Sequence, residues 1–176
     1  MMKKLALSFL CIIISLVSYG QWVESPTGHC ENPEFNRKVN RLLNYSVDVI
    51  DVSDLNGHLE EFTLLDIREL DEYLVSHLPG ASHFGYDQPK WDILDTIDKD
   101  QPIVVYCSIG YRSEKIGEKL MKKGFTNVRN LYGSIFEWAN QNYPMVDKDG
   151  NATNSVHGYN KRWSKWVTND AIDVEY

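Results

Sequence analysis

The sequence predicts a single α/β domain in which a central, mostly parallel β-sheet lies between two layers of helices. Segments typical of strands alternate with segments typical of helices from about residue 46 to residue 143. Two of the strand segments, at 62–67 and 102–106, are almost continuously apolar, as in parallel strands that are covered on both faces. The chain has 176 residues, which is enough for one such domain with an extension at each end.

The first half of this pattern is predicted from periodicity and turn residues. Apolar residues recur at helical spacing over 33–43, so a short amphipathic helix is expected there. Residues 47–52 alternate with a period of two and predict a strand, and a second strand is expected at 62–67. Residues 68–77 have helical character, and the turn LPG at 78–80 ends that helix.

The second half repeats the alternation of strand and helix. In order, we expect a short strand at 83–84, a short helix at 91–97, a strand at 102–106, a helix at 113–123, a strand at 128–131 and a helix from Ser134. Ile116, Leu120 and Met121 are expected on one face of the helix at 113–123, which Gly124 ends.

The first 20 residues have the pattern of a secretory signal peptide. Lys3 and Lys4 supply its positive start, an apolar run follows over 5–17, and Gly20 is a small residue suited to cleavage. The run is too short to span a bilayer, so no membrane association is expected after cleavage. The sequence therefore predicts a secreted or periplasmic protein with an N-terminal extension at 21–45.

The charge balance excludes some classes of partner. The formal net charge is −7, and loss of Lys3 and Lys4 would make it more negative by two. An acidic protein of this kind is not suited to nucleic acid or to anionic membranes, and neither is expected as a partner. An anionic substrate would have to be held by a local cationic or amide-lined site.

The cysteines do not predict a disulfide framework. Without Cys11 of the predicted leader, Cys30 and Cys107 remain, which is too few for a disulfide scaffold. A Cys30–Cys107 bridge is the less favoured alternative to two free thiols. His29 stands beside Cys30, but no further ligands follow at zinc spacing, so no metal is predicted.

Cys107 stands between a predicted buried strand and a predicted helix. A buried cysteine can be a small apolar residue and nothing more. At the carboxyl end of a parallel strand, however, the backbone N–H groups of the following loop and helix can surround a thiol and favour its thiolate. Gly110 permits an unusual backbone conformation, Arg112 adds a positive charge that could hold an oxyanion, and Ser113 could cap the helix. These residues predict a site where sulfur attacks an anionic substrate.

Two segments, LLDIRELDEYLVSHLPGA and IVVYCSIGYRSEKIGEKLMKKGFTNVRNLYGSIFEW, resemble the rhodanese (sulfurtransferase) family in order and separation. The resemblance implies the rhodanese-like three-layer α/β/α domain over 46–143 and a sulfur-accepting nucleophile at Cys107. Asp66 and Arg68 match the family's D-x-R and are implied to be an ion-paired structural support. The residues implied to hold the transferred sulfur through their amides are Ser108, Ile109, Gly110, Tyr111, Arg112 and Ser113.

The resemblance implies transfer of sulfane sulfur from thiosulfate or a similar small anionic donor to a thiol or cyanide. A protein thiol is a further implied partner, and no cofactor is expected. Three alternatives stay open: a persulfide carrier or redox partner without turnover, a rhodanese-fold binding module, and a phosphatase-like enzyme. The loop Cys107-x4-Arg112 disfavours the last, because cysteine-dependent phosphatases have one residue more between these two positions.

Two features depart from the resemblance or lie outside it. The family often has a Gly-Gly pair before its last helix, where this chain has Gly133-Ser134.

In the C-terminal extension, 144–176, aromatic residues recur at helical spacing and predict a helix that docks on the domain. A partner-binding motif is the alternative for these aromatic residues, which are Tyr159, Trp163 and Trp166.

Overall fold

The structure is a computed structural model that describes residues 28–176. The predicted signal peptide and Cys11 lie outside the described residues. A five-stranded parallel sheet forms the centre, in the order β1-β5-β4-β2-β3. Its strands are β1 (Asp48–Ile50), β2 (Thr63–Asp66), β3 (Ser82–His83), β4 (Ile103–Tyr106) and β5 (Val128–Leu131). The predicted central parallel sheet is confirmed.

Helices cover both faces of the sheet. The α-helices are α1 (Pro33–Leu42), α2 (Val52–Leu55), α3 (Leu70–Val75), α4 (Tyr111–Lys122) and α5 (Ser134–Asn140), and 3-10 helices form at Leu59–Glu61, Trp91–Thr96 and Ser164–Trp166. Side chains of β4 alternate between two apolar clusters: Val104 and Tyr106 belong to one, and Ile103 and Val105 to the other, which also contains Cys107, the residue after the strand. The first cluster contains side chains of α1 and α5, and the second contains side chains of α4.

Two local predictions need correction. The strand predicted at 47–52 ends at Ile50, because Val52 begins the short helix α2, whose Val52 and Leu55 are buried. Met121 was expected on the same face of α4 as Ile116 and Leu120, but its side chain is exposed while theirs are fully buried. Position 121 directly follows Leu120 and therefore points about 100° away around the helix.

The predicted helix of the C-terminal extension is wrong. This segment instead forms β6 (Met145–Val146), β7 (Ala152–Thr153), β8 (Ser155–His157) and β9 (Asp173–Glu175), with the 3-10 helix at Ser164–Trp166. Tyr159 has a left-handed backbone with φ of 63°, and the Asn160 side chain accepts the N–H groups of Arg162 and Trp163. Such local side-chain to backbone bonds compete with a continuous helix.

The C-terminal extension packs against the domain through Trp166 and through Val156 of β8. Trp166 stacks on Phe35 of α1 with ring centroids 5.5 Å apart, and its carbonyl accepts a hydrogen bond from Asn140 at the end of α5. Val156 of β8 is fully buried. Within residues 28–176, no helix is both long and apolar enough to cross a membrane.

Candidate active site

Cys107 directly follows β4, near the middle of the sheet and at the carboxyl ends of its strands. Only 1% of the residue is exposed. Its backbone N–H donates to Ser134 Oγ at 3.1 Å, and its carbonyl accepts from the N–H of Ile135 at 3.2 Å. The start of α5 therefore fixes the backbone on which the thiol stands.

Ser134 is the residue at which the chain departs from the Gly-Gly pair. Its φ of 53° lies in the left-handed region, which costs a non-glycine residue roughly 1–2 kcal/mol. The hydroxyl compensates, because it accepts the N–H of Cys107 and donates to the carbonyl of Leu131 at 3.1 Å. A glycine here would relieve the strain and lose both hydrogen bonds.

The loop after Cys107 turns backbone N–H groups toward the sulfur. Gly110 N–H donates to Cys107 Sγ at 3.2 Å, and Gly110 has a φ of 111°, a conformation that glycine adopts at little cost. Asn130 on β5 anchors this turn, because its Nδ2 donates to the Gly110 carbonyl at 2.9 Å and its Oδ1 accepts from Ser113 Oγ at 2.7 Å. The expectation that Ser113 caps α4 is wrong, since Gly110 occupies the N-cap position.

The environment of Cys107 lowers the pKa of its thiol. Burial acts to raise that pKa, but the positive charge of Arg112 and the backbone N–H groups of Ser113 and Ile109 act in the opposite direction and prevail. A lower pKa means a larger thiolate fraction at neutral pH, and the thiolate is the nucleophilic form.

Arg112 is bound to an acidic side chain of α3. Its Nη1 and Nη2 donate to the two carboxylate oxygens of Glu72 at 2.7 and 2.8 Å. Ser108 Oγ joins the pair, donating to Glu72 Oε1 at 3.1 Å and accepting from Arg112 Nη2 at 3.0 Å. The ring of Tyr159 covers the guanidinium, with its centroid 5.0 Å from Cζ. The sequence predicts that Arg112 could hold an incoming oxyanion, and the structure shows both of its terminal nitrogens bound to Glu72.

Asp66 and Arg68 form a fully buried ion pair at the end of β2. Arg68 Nη2 lies 2.6 Å from Asp66 Oδ2, and Nε adds a bond of 3.0 Å to Oδ1. The same Nη2 donates to the carbonyl of Ser76 after α3. Asp66 pairs in register with Tyr106, the residue before Cys107. The pair therefore joins the end of α3 to β2, the neighbour of β4, and Cys107 directly follows β4.

A cavity of about 260 Å³ lies over the loop. Cys107 and the four loop residues Ser108, Ile109, Tyr111 and Arg112 line its floor and sides. Three further side chains complete it: Leu42 of α1, and Tyr159 and Trp163 of the C-terminal extension. Ile109 is nearly buried, whereas Tyr111 is 44% exposed at the rim.

Sequence reasoning missed several residues of this site. Glu72 is separated from Arg112 by 40 positions, so no local pattern links the two. Asn130 looks like an ordinary polar residue in a strand, and Leu42 like part of an amphipathic helix. The sequence distinguishes Tyr159 and Trp163 by their spacing alone. Helical spacing was the wrong signal for them, because the extension is not helical.

Cys30 does not pair with Cys107, and both thiols are free. The two belong to different apolar clusters. Across residues 28–176, no group of three or more His, Cys, Asp or Glu side chains is placed to hold a metal ion.

The fold is an α/β domain built on a parallel sheet. Its site is a low-pKa thiol at the end of a strand, facing the N-terminal amides of the next helix. The family model of the rhodanese-like domain matches residues 49–141, more than half of the chain. The chain therefore belongs to the rhodanese-like family, as the two sequence segments indicate.

Named relatives and solved structures agree with this assignment. A thiosulfate sulfurtransferase (GlpE) of Coxiella burnetii is 28% identical over 103 residues, covering 54% of this chain and 94% of that protein. A sulfurtransferase of Allochromatium vinosum is 34% identical over 110 residues, covering 59% and 99%. The match to the crystal structure of a Bacillus halodurans protein (TM-score 0.53, 24% identity) covers 66% of this chain and 87% of that chain. The rhodanese-like domain of an Anabaena protein (TM-score 0.52, 24% identity) covers 56% and 78%. The two structures show the shared fold, and the named relatives indicate a sulfurtransferase family.

Proposed function

We propose that this protein is a sulfurtransferase that carries sulfane sulfur as a persulfide on Cys107. The donor is thiosulfate or a similar compound, and the acceptor is a thiol or cyanide. The observation that carries the proposal is the lowered pKa of a buried thiol whose sulfur accepts the Gly110 N–H at 3.2 Å. Relatives named as sulfurtransferases support it.

The proposed transfer has two displacement steps and no net oxidation. The Cys107 thiolate attacks the outer sulfur of thiosulfate, a new S–S bond forms, and the S–S bond of thiosulfate breaks as sulfite leaves with the electron pair. The outer sulfur of the resulting persulfide anion faces the amides of the loop. An acceptor such as cyanide then attacks that sulfur, thiocyanate forms, and Cys107 leaves as the thiolate.

The amides, rather than Arg112, are the groups in this proposal that stabilise negative charge on the outer sulfur. Both terminal nitrogens of Arg112 donate hydrogen bonds to Glu72. The first-turn N–H groups of the 12-residue helix α4 have no carbonyl partner within the helix, and the helix end carries a partial positive charge toward the loop. An anion at this position is therefore stabilised without a free cationic side chain.

Intact-mass analysis tests the proposal directly. The purified protein is incubated with thiosulfate and desalted, and its intact mass is measured. It is then digested so that any added sulfur can be assigned to a peptide. We expect one additional sulfur atom on the peptide that contains Cys107, and its loss as thiocyanate when cyanide is added. No added sulfur, or sulfur confined to the Cys30 peptide, would overturn the proposal.

We also propose that the protein is exported, on the strength of Lys3, Lys4 and the apolar run at 5–17. N-terminal sequencing of the protein recovered from its native cells is the test. A mature N-terminus near Gln21 supports export, and a retained Met1 overturns it.

A further inference from the structure

The cavity over Cys107 is walled in part by residues outside the rhodanese-like match. That match spans residues 49–141, whereas Leu42 precedes it and Tyr159 and Trp163 follow it. The two extensions therefore meet over the sulfur site, one from each end of the domain. What they add there lies outside the residues that the family model matches.

These walls are apolar and aromatic. Leu42 and Trp163 are partly buried, and Ile109 contributes an aliphatic side chain from the loop. Arg112 is the charged residue of the lining, and its charge is balanced by Glu72 and covered by the ring of Tyr159. A substrate with an apolar body gains from burial against these walls.

The aromatic wall is held in place by local bonds. Tyr159 N–H donates to His157 Nδ1 at 3.1 Å, and Trp163 N–H donates to the carbonyl of Asn160 at 3.0 Å. Lys38 of α1 lies over the Trp163 ring, with Nζ 5.0 Å from the centroid. The wall is thus formed before any ligand binds, which reduces the entropy lost on binding.

We infer that the cavity formed by Leu42, Tyr159 and Trp163 binds the sulfur acceptor, a small thiol that carries an apolar group about the size of a benzene ring. This inference deepens the proposed sulfurtransferase function and rests on it. The volume, about 260 Å³, is below the range of roughly 300–1,000 Å³ typical of pockets for drug-sized ligands. It suits a compact thiol rather than a protein segment.

In the acceptor step, sulfur moves from Cys107 to the thiol without net oxidation. The thiol sulfur attacks the outer sulfur of the Cys107 persulfide anion and forms a new S–S bond. The S–S bond to Cys107 breaks and Cys107 leaves with the electron pair as the thiolate. The proton of the acceptor passes from the attacking sulfur to the transferred sulfur, so the acceptor departs as a neutral persulfide. A thiol with a low pKa is a good leaving group in such an exchange.

Discharge kinetics test the inference. Protein loaded with thiosulfate and desalted is mixed with benzyl mercaptan or with 2-mercaptoethanol, two alkyl thiols that differ mainly in their apolar body. We expect a second-order rate constant at least about tenfold higher for benzyl mercaptan, the lower end of what one apolar contact provides. Trp163→Ala should reduce this preference about tenfold, and Leu42→Ala, which changes the part of the wall contributed by α1, should reduce it as well.

Trp166→Ala is the matched control, because Trp166 belongs to the same extension but stacks on Phe35 and does not line the cavity. It should keep the wild-type preference. Equal rates for the two thiols, or a preference unchanged in both wall variants, would overturn the inference while sulfur loading still supports the proposed function. If Trp163→Ala does not fold, Leu42→Ala decides. Failure of the wild type to take up sulfur would overturn the proposed function, and the inference with it.

Discussion

The two described cysteines, Cys30 and Cys107, are equally buried and yet have opposite thiol chemistry. Their exposed fractions are 0% and 1%. Burial raises the pKa of the Cys30 thiol strongly, and the nearby carboxylates of Glu137 and Asp51 raise it further. The pKa of Cys107 is lowered, because Arg112 and the loop amides outweigh the same effect of burial.

The difference shows that neighbouring charge and N–H groups, rather than exposure, decide which thiol ionises. Cys30 lies so close to Gly133 that a Cβ atom on that glycine would come within 2.7 Å of its sulfur. It also belongs to the apolar cluster that contains Phe35 and Trp138, so its side chain fills space in a core. Cys107 belongs to the other cluster and also lines the cavity.

The largest expected effect separates the two thiols outright. Cys107→Ala should abolish both sulfur uptake from thiosulfate and thiocyanate formation. Cys30→Ala should retain the wild-type kcat/KM, because that thiol stays protonated at neutral pH and does not line the cavity. Both variants are assayed with thiosulfate and cyanide after their melting curves are recorded. Thiocyanate formation that survives in Cys107→Ala and disappears in Cys30→Ala would reverse the comparison.

How much of this contrast was predictable depends on sequence separation. Cys107 and its loop follow from a contiguous strand–turn–helix pattern, so the fold class and the position of the thiol could be read from the sequence. The pairing of Asp66 with Arg68 was implied by the resemblance, and these residues are only two positions apart. The partner of Arg112 could not be predicted, because Glu72 reaches it only after α3 packs beside the loop.

The C-terminal extension was the least predictable region, for a different reason. Tyr159 and Trp163 share helical spacing, but the left-handed backbone of Tyr159 and the hydrogen bonds to the Asn160 side chain replace a helix with a turn. Periodicity does not register such backbone interruptions. The contribution of this extension to the cavity therefore becomes visible only in three dimensions.

A second experiment changes the charges around Cys107 in opposite directions. Arg112→Met removes the nearest cation and should raise the pKa of Cys107, so that less thiolate is present at pH 7. Sulfur transfer should then fall with the thiolate fraction, up to about tenfold for each unit by which the pKa of Cys107 rises. Glu72→Gln keeps Arg112 but removes its counter-charge, so the pKa of Cys107 should fall further.

The pH dependence of alkylation by iodoacetamide, followed on the Cys107 peptide, measures these shifts. The alkylation rate rises with pH as the thiol ionises, and the wild-type midpoint should lie below the ordinary value for cysteine, about 8.5. Arg112→Met should move the midpoint upward and Glu72→Gln downward. Midpoints that move in the same direction in both variants would show that charge is not what sets the reactivity of Cys107.

A smaller effect is expected from the corresponding change near Cys30. Glu137→Gln removes a buried negative charge and should lower the pKa of the Cys30 thiol, although burial continues to hold it above its ordinary value. Alkylation of the Cys30 peptide at alkaline pH should accelerate several-fold and stay slower than that of Cys107. Glu31→Gln is the control, because its side chain belongs to an exposed residue of the same region. If Cys30 in Glu137→Gln were alkylated as fast as Cys107, the carboxylate of Glu137 alone would account for the difference in reactivity between the two thiols.

The smallest expected signal tests whether a low-pKa thiolate is enough for other cysteine chemistry. Cysteine-dependent phosphatases also use a thiolate at a strand end, but their loop has five residues between cysteine and arginine, and here there are four. The shorter loop brings Gly110 N–H to 3.2 Å from Cys107 Sγ, which suits one added sulfur atom better than a phosphoryl group with three equatorial oxygens. The guanidinium that would hold those oxygens is committed to Glu72.

We therefore expect negligible hydrolysis of an aryl phosphate by the native protein, measured by release of the phenol at saturating substrate. Insertion of one residue between Gly110 and Arg112 should suppress sulfur transfer, because the amides move away from the sulfur, and it is the variant in which weak phosphatase activity is expected. Cys107→Ser is the control for contaminating phosphatases. Efficient native turnover that disappears in Cys107→Ser would show that thiolate formation, and not loop size, selects the chemistry of this fold.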